Sequence, residues 1–204
     1  MSEIATGELS LGLRCGLFGG TFDPVHSGHL LLAERAREEL ELDTVLFVPA
    51  NVSPHKFDGR EISSGEVRVE MLLRAIRGNP DFLLSRIELD RRGLSYTRDT
   101  LETLAVEHSE TRFTLLMGSD NARDFRAWRD PARILELTSI AVWERPGEYF
   151  WPEIYPDHIA RKIPAPLIEI SSTEIRNRAA AGRSIRYMTP DVVVEFIMEK
   201  RLYR

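Results

Sequence analysis

Short apolar runs alternate along the chain with longer stretches in which apolar positions recur every three or four residues. The runs Leu13–Phe18, Thr44–Val48, Leu83–Ile87, Arg112–Met117, Ile140–Trp143 and Leu167–Ile170 read as strands. Between them, Leu30–Leu40, Glu66–Ile76, Asp99–His108 and Pro131–Leu137 read as helices. Two more close the chain: Thr173–Ala181, ended by Gly182, and Asp191–Lys200, opened by Thr189-Pro190-Asp191. Apolar strands separated by helices predict an α/β fold, a mainly parallel sheet covered on both faces. Ligands of such open sheets bind beyond the carboxyl ends of the strands.

No linker, internal repeat or low-complexity tract divides the 204 residues. We expect one domain, residues 1–204, with residues 1–12 loose and residues 171–204 forming a C-terminal helical part. The connections Pro49–Ser63 and Glu144–Ala165 are long enough to be lids.

Composition narrows the function. A net charge of −5 argues against a nucleic-acid-binding face, while leaving room for a local positive pocket. Cys15 is the only cysteine, so no internal disulfide forms and a reducing compartment is expected. Its place in the first strand makes it a small packing residue. The acidic start has no hydrophobic signal region and no apolar run approaches membrane-spanning length. These features predict a cytoplasmic protein with no membrane partner.

The chemistry concentrates in residues 16–29, Gly-Leu-Phe-Gly-Gly-Thr-Phe-Asp-Pro-Val-His-Ser-Gly-His. Adjacent Gly19 and Gly20 let backbone approach a phosphate, and the start of the next helix offers free N–H groups and positive dipole to an anion. His26 and His29, three residues apart, add imidazole donors on one side of that turn. There is no Gly-Lys-Ser/Thr of a P-loop, and the glycine spacing is not that of a dinucleotide fingerprint. Paired histidines are also a zinc pattern, but no further Cys or His nearby completes a closed site.

His26-Ser27-Gly28-His29 resembles the nucleotidyltransferase superfamily marked by His-x-Gly-His. The resemblance implies a Rossmann-like, doubly wound sheet and transfer of a nucleotidyl group from an NTP to a phosphate. It also implies a second phosphate motif near the C-terminus, and Ile170-Ser171-Ser172-Thr173-Glu174-Ile175-Arg176 matches the family's Ile-Ser-Ser-Thr-x-Ile-Arg. Ser171 with Glu174 three residues on is equally a helix capping box, which shares the same free N–H groups.

Four further segments narrow the resemblance to the bacterial nicotinate-mononucleotide adenylyltransferases. They are Pro49–Lys56 after the second strand, Ser95–Leu101, Gly118-Ser119-Asp120 with Phe125 and Trp128, and Glu144-Arg145-Pro146-Gly147. The similarity runs from Leu13 to the C-terminus, in the family's order. It implies ATP and nicotinate mononucleotide as partners, with Mg²⁺ bound mainly through the ATP phosphates and no dedicated protein metal site.

Adenylyl transfer is in-line attack of a phosphate oxygen on the α-phosphorus of ATP. Both reactants are anions, and the attacking phosphate is already ionised, so positioning and charge neutralisation are the task. The resemblance therefore implies catalytic roles for His26, His29 and Arg176. ATP would be bound by Gly19, Gly20, Thr21, Phe22, Gly28, Lys56, Gly118, Asp120, Arg145, Ser171, Ser172 and Thr173. Tyr96, Thr97 and Trp128 would bind the substrate, Thr97 donating to the nicotinate carboxylate along with nearby backbone N–H groups and Trp128 stacking on the pyridine ring. Each has a plainer reading: Thr97 or Asp120 as a helix N-cap, Trp128 as core, Lys56 and Arg176 as solvated cations. Phosphopantetheine or nicotinamide mononucleotide as acceptor, and a non-catalytic nucleotide-binding module, are the alternatives. Homo-oligomerisation is left open.

Overall fold

The computed structural model describes residues 11–52, 62–91, 93–144, 160–166 and 168–204. Six parallel strands form one sheet in the order β3-β2-β1-β4-β5-β6. They are β1 (Arg14–Gly20), β2 (Thr44–Pro49), β3 (Phe82–Leu84), β4 (Arg112–Gly118), β5 (Thr138–Trp143) and β6 (Ala160–Lys162). The order reverses between β1 and β4, which opens a crevice beyond their carboxyl ends where helices leave in opposite directions. All six residues of β2 are buried, because helices cover both faces of a central parallel strand.

The helices are α1 (Ser27–Glu39), α2 (Gly65–Ile76), α3 (Ile87–Arg91), α4 (Thr97–Glu107), α5 (Ser119–Asp124), α6 (Pro131–Leu137), α7 (Ser172–Ala180) and α8 (Asp191–Glu199). A 3-10 turn, Phe125–Ala127, follows α5. One core, under α1, α2, α7 and α8, joins Ala33, Ala36, Phe47, Met71, Leu72, Ile175, Val193 and Phe196. The other, under α4 and α6, joins Cys15, Leu17, Leu46, Leu101, Leu104, Leu115 and Ile134. Each fully buried Leu, Phe or Met contributes roughly 1.5–3 kcal/mol. Cys15 is a packing residue: burial pushes its thiol up to about 11. Among the described residues no helix is long and apolar enough to cross a membrane.

Four expectations are corrected. The third strand stops at Leu84 rather than Ile87. Ser85 N–H closes on Phe47 O at 2.9 Å, and Ser85 Oγ accepts from Ile87 N–H at 3.3 Å, so Ile87 opens α3 instead. The sixth strand is Ala160–Lys162; of the expected Leu167–Ile170, residues 168–170 form no strand and Leu167 lies outside the described residues. Ala160–Lys162 is a short, exposed edge strand whose polar residues leave no apolar run to read. Ile168 instead packs toward the turn at Gly28, and Ile170 against the first core. Leu11 and Gly12 are not loose: Leu11 is buried, its carbonyl accepts from Thr44 Oγ1, and Gly12 O accepts from Thr111 Oγ1 at 2.8 Å. Finally, α1 and α4 begin at Ser27 and Thr97, earlier than the apolar periodicity showed.

Candidate active site

The connection from β1 to α1 is held by donors from elsewhere in the chain. Phe22 takes a left-handed backbone, φ 51°, and the Asp23–Pro24 peptide is cis. Arg68 Nη1 donates to Thr21 O at 2.8 Å, Arg176 Nη1 to Asp23 O, Ser172 Oγ to Pro24 O at 2.8 Å, and Thr189 Oγ1 to Val25 O at 2.8 Å. Four carbonyls of the turn, those of Thr21, Asp23, Pro24 and Val25, are thus satisfied from α2, α7 and the turn before α8. Arg68 is only 2% exposed and donates from Nε to Ser63 O at 3.0 Å. Burial depresses its pKa, and the nearby Asp23 carboxylate opposes that shift.

His26 and His29 form a reciprocal cap at the start of α1. His26 Nδ1 accepts from His29 N–H at 3.3 Å, and His29 Nδ1 accepts from His26 N–H at 3.2 Å. Their rings stack with centroids 3.6 Å apart and 23° between planes. With both Nδ1 atoms accepting, the hydrogen-bond pattern assigns each imidazole its proton on Nε2, which makes Nε2–H the donor of each ring. Gly28 between them is required by close approach: a Cβ there would stand 3.1 Å from His26 Nδ1 and 3.2 Å from Ile168 Cγ2. Both Nδ1 atoms belong to the cap, and among the described residues no group of three His, Cys, Asp or Glu side chains is arranged to hold a metal.

Two adjoining cavities lie at the crevice. The first is lined by Gly19, Gly20, Thr21, Phe22, Asp23, His29, Gly118, Trp143, Ser172, Thr173 and Arg176. The second is lined by Gly19, Gly20, Thr21, Glu88, Ser95, Tyr96, Thr97, Trp128 and Arg129. They share Gly19, Gly20, Thr21, Leu116, Met117 and Asn121. At α7 the work is divided: Ser171 Oγ caps Glu174 N–H at 3.2 Å, Ser172 tethers the β1–α1 turn, and Thr173 Oγ1 accepts from Arg176 Nη2 at 2.9 Å. The starts of α1 and α7 therefore meet at the first cavity.

In the second cavity, Tyr96 is the N-cap of α4 but makes no side-chain cap, and Thr97 is the first helical residue. Trp128 is half-buried, 5.4 Å from Phe125, and the Arg129 guanidinium lies 4.5 Å over the Tyr96 ring. Glu88 is buried behind them and accepts from Thr100 Oγ1 at 2.8 Å. Desolvation raises its carboxyl pKa, which bonds from Thr100 and Ser95 and the Arg91 charge partly offset.

Of the expected site residues, the structure gathers Gly19, Gly20, Thr21, Phe22, His29, Gly118, Ser172, Thr173 and Arg176 at the first cavity and Tyr96, Thr97 and Trp128 at the second. Phe22 is also a packing residue, 5.0 Å from the His29 ring. His26, Gly28 and Ser171 shape the two helix starts without lining a cavity, and Asp120 lies in the first turn of α5 behind Gly118 as N-cap. Lys56 and Arg145 lie outside the described residues. Sequence reasoning missed Asp23, Arg68, Glu88, Asn121 and Trp143. Arg68 carried a signal, since it is a cation set among the apolar positions of α2. Trp143 had none; its buried indole N–H has no hydrogen-bond partner.

A profile of the cytidylyltransferase-like family matches residues 17–178. A protein of Thermomicrobium roseum named "Probable nicotinate-nucleotide adenylyltransferase" is 45% identical over 197 residues, covering 94% of this chain and 92% of that one. A Roseiflexus protein of the same name is 44% identical over 195 residues, covering 93% and 97%. Among solved structures, Plasmodium falciparum nicotinic acid mononucleotide adenylyltransferase complexed with NaAD aligns with a TM-score of 0.79, covering 94% of this chain and 98% of that one. At 18% identity that likeness speaks to the fold.

Proposed function

The chain belongs to the cytidylyltransferase-like family and, within it, to the nicotinate-nucleotide adenylyltransferases, and on that premise we propose that its two joined cavities hold ATP and nicotinate mononucleotide for in-line transfer. The enzyme joins the AMP moiety of ATP to nicotinate mononucleotide, giving nicotinate adenine dinucleotide and pyrophosphate. One observation carries the assignment of the cavities: a polar cavity at two helix N-termini meets an aromatic one along Gly19, Gly20 and Thr21.

The triphosphate lies in the first cavity, over the starts of α1 and α7. His29 Nε2–H and Arg176 neutralise charge on the α- and β-phosphates, and His26 fixes the His29 ring by stacking and capping. Gly19, Gly20 and Thr21 let the two reacting phosphates approach. In the second cavity the nicotinate ring stacks on Trp128, and its carboxylate takes N–H groups at the uncapped start of α4 together with the Thr97 hydroxyl. Those are donors, which suits an acid; an amide would also need an acceptor. No general base is invoked, because the attacking phosphate is already ionised.

A divalent cation, Mg²⁺ in our reading, would be held mainly by the ATP phosphate oxygens, a donor set that suits it, and would supply charge neutralisation there. The whole chain acts as one unit, since residues 19–29 and 172–176 build the same phosphate site. The reading places it in the cytoplasm. The test is pyrophosphate release from ATP with nicotinate mononucleotide, nicotinamide mononucleotide or phosphopantetheine as acceptor. The acid is expected to exceed the amide by roughly 100-fold in kcat/KM. A preference for phosphopantetheine, or no turnover with any of the three, sinks the proposal.

A further inference from the structure

Beyond α8 the backbone folds back on the domain. Leu202 N–H donates to Ile197 O at 3.0 Å, and Arg201 and Tyr203 adopt left-handed φ angles of 52° and 64°. This delivers the Tyr203 hydroxyl to Asp23, where it donates to Oδ1 at 2.7 Å. Asp23 is 3% exposed, and its other oxygen accepts from Ser63 N–H at 3.2 Å. The carboxylate is thus occupied on both oxygens while its backbone carbonyl accepts from Arg176 Nη1. Arg176 lines the first cavity, so a carboxylate and a phosphate are rival partners for one guanidinium.

We propose that Tyr203 is a positioning residue for the triphosphate site: by holding the Asp23 carboxylate, it keeps that anion from drawing Arg176 away from substrate. Loss of the hydroxyl frees Oδ1 to turn toward the guanidinium already bonded to its own backbone carbonyl. Arg176 then forms an ion pair inside the turn, and phosphate must break it to bind. This rests on the assignment of the first cavity to ATP.

The test is Tyr203→Phe, which keeps the ring, beside Val193→Ala, a buried change in α8 that removes none of the turn's hydrogen bonds. Tyr203→Phe is expected to raise KM for ATP by roughly tenfold, the scale of one charged hydrogen bond, and to leave KM for nicotinate mononucleotide within about twofold. Val193→Ala is expected to lower Tm and leave both KM values in place. A wild-type KM for ATP in Tyr203→Phe overturns the proposal. A rise shared equally by both substrates, or by Val193→Ala, also overturns it, because either marks a structural role. If the unaltered chain shows no turnover, the functional reading fails, and calorimetric titration with inorganic tripolyphosphate judges the positioning role by itself. Weaker binding by Tyr203→Phe supports it, and equal binding overturns it.

Discussion

Replacing Arg68 with methionine tests whether the phosphate turn is held from behind. Methionine keeps an unbranched stem at this buried position of α2 and removes the guanidinium. Two hydrogen bonds vanish, to Thr21 O at 2.8 Å and Ser63 O at 3.0 Å. The buried Asp23 carboxylate also loses a charge partner. Hydrogen bonds from a charged donor are worth about 1.5–3 kcal/mol each. Removing a cation that was itself costly to bury returns part of that sum. A net loss of about 2–4 kcal/mol follows, a large share of the roughly 5–15 kcal/mol that holds a domain together. At this chain length each kcal/mol moves Tm by about 2–4 °C, so a fall near 10 °C is expected. Arg68→Lys retains the charge but not the fork, and reaches one carbonyl at most, so it recovers about half. Urea unfolding measures the loss, and KM for ATP reports the loosened turn. A loss under about 1 kcal/mol at unchanged m-value refutes the reasoning.

Three further substitutions separate chemistry from packing. His29→Ala is expected to cut kcat by about 100-fold or more, while His29→Asn, whose side-chain oxygen accepts from His26 N–H, restores the cap and Tm without restoring turnover; recovery of turnover in His29→Asn would sink the Nε2–H role. Glu88→Gln addresses pH. Because the folded-state pKa of Glu88 is raised above 4.5, the folded chain holds a proton that the unfolded chain releases, and stability falls as pH rises from 4.5 through the raised value. The variant should flatten that fall in Tm measured from about pH 4.5 upward, and an unchanged slope would dismiss Glu88 as its source. Trp143→Phe deletes a buried N–H that lacks a partner, relieving about 1–3 kcal/mol, and loses ring packing of similar size. Its urea stability should lie within about 1 kcal/mol of wild type, and a loss above about 3 kcal/mol would show that the N–H is paired.

The sheet was legible where burial on both faces forces apolar runs, as in Thr44–Pro49 and Arg112–Gly118. It was illegible at its rim, because Ala160–Lys162 needs no apolar residues to add three rungs to β5. The start of α1 was hidden for another reason. Its cap is a pair of histidines rather than Ser, Thr, Asp or Asn, and its first turn carries Ser27 and Gly28 in place of periodic apolar residues. Residues whose types announce phosphate chemistry stand out in the sequence; those that hold the turn do not. Asp23, Arg68 and Tyr203 are far apart in sequence, and only folding brings them to one turn.

A chain of net charge −5 binds two anionic substrates because its positive field is local rather than summed. Two helix N-termini, from α1 and α7, converge on the first cavity and carry roughly half a charge each. The cap leaves His26 and His29 with donor N–H groups on Nε2, and among the described residues Arg176 at the cavity is shared with the turn's own backbone. Fixed dipoles of this kind are already oriented before substrate arrives, so little reorganisation accompanies charge movement in the transition state. Composition reports none of this, because a helix start, a tautomer and a buried carboxylate held by a tyrosine all leave net charge unchanged.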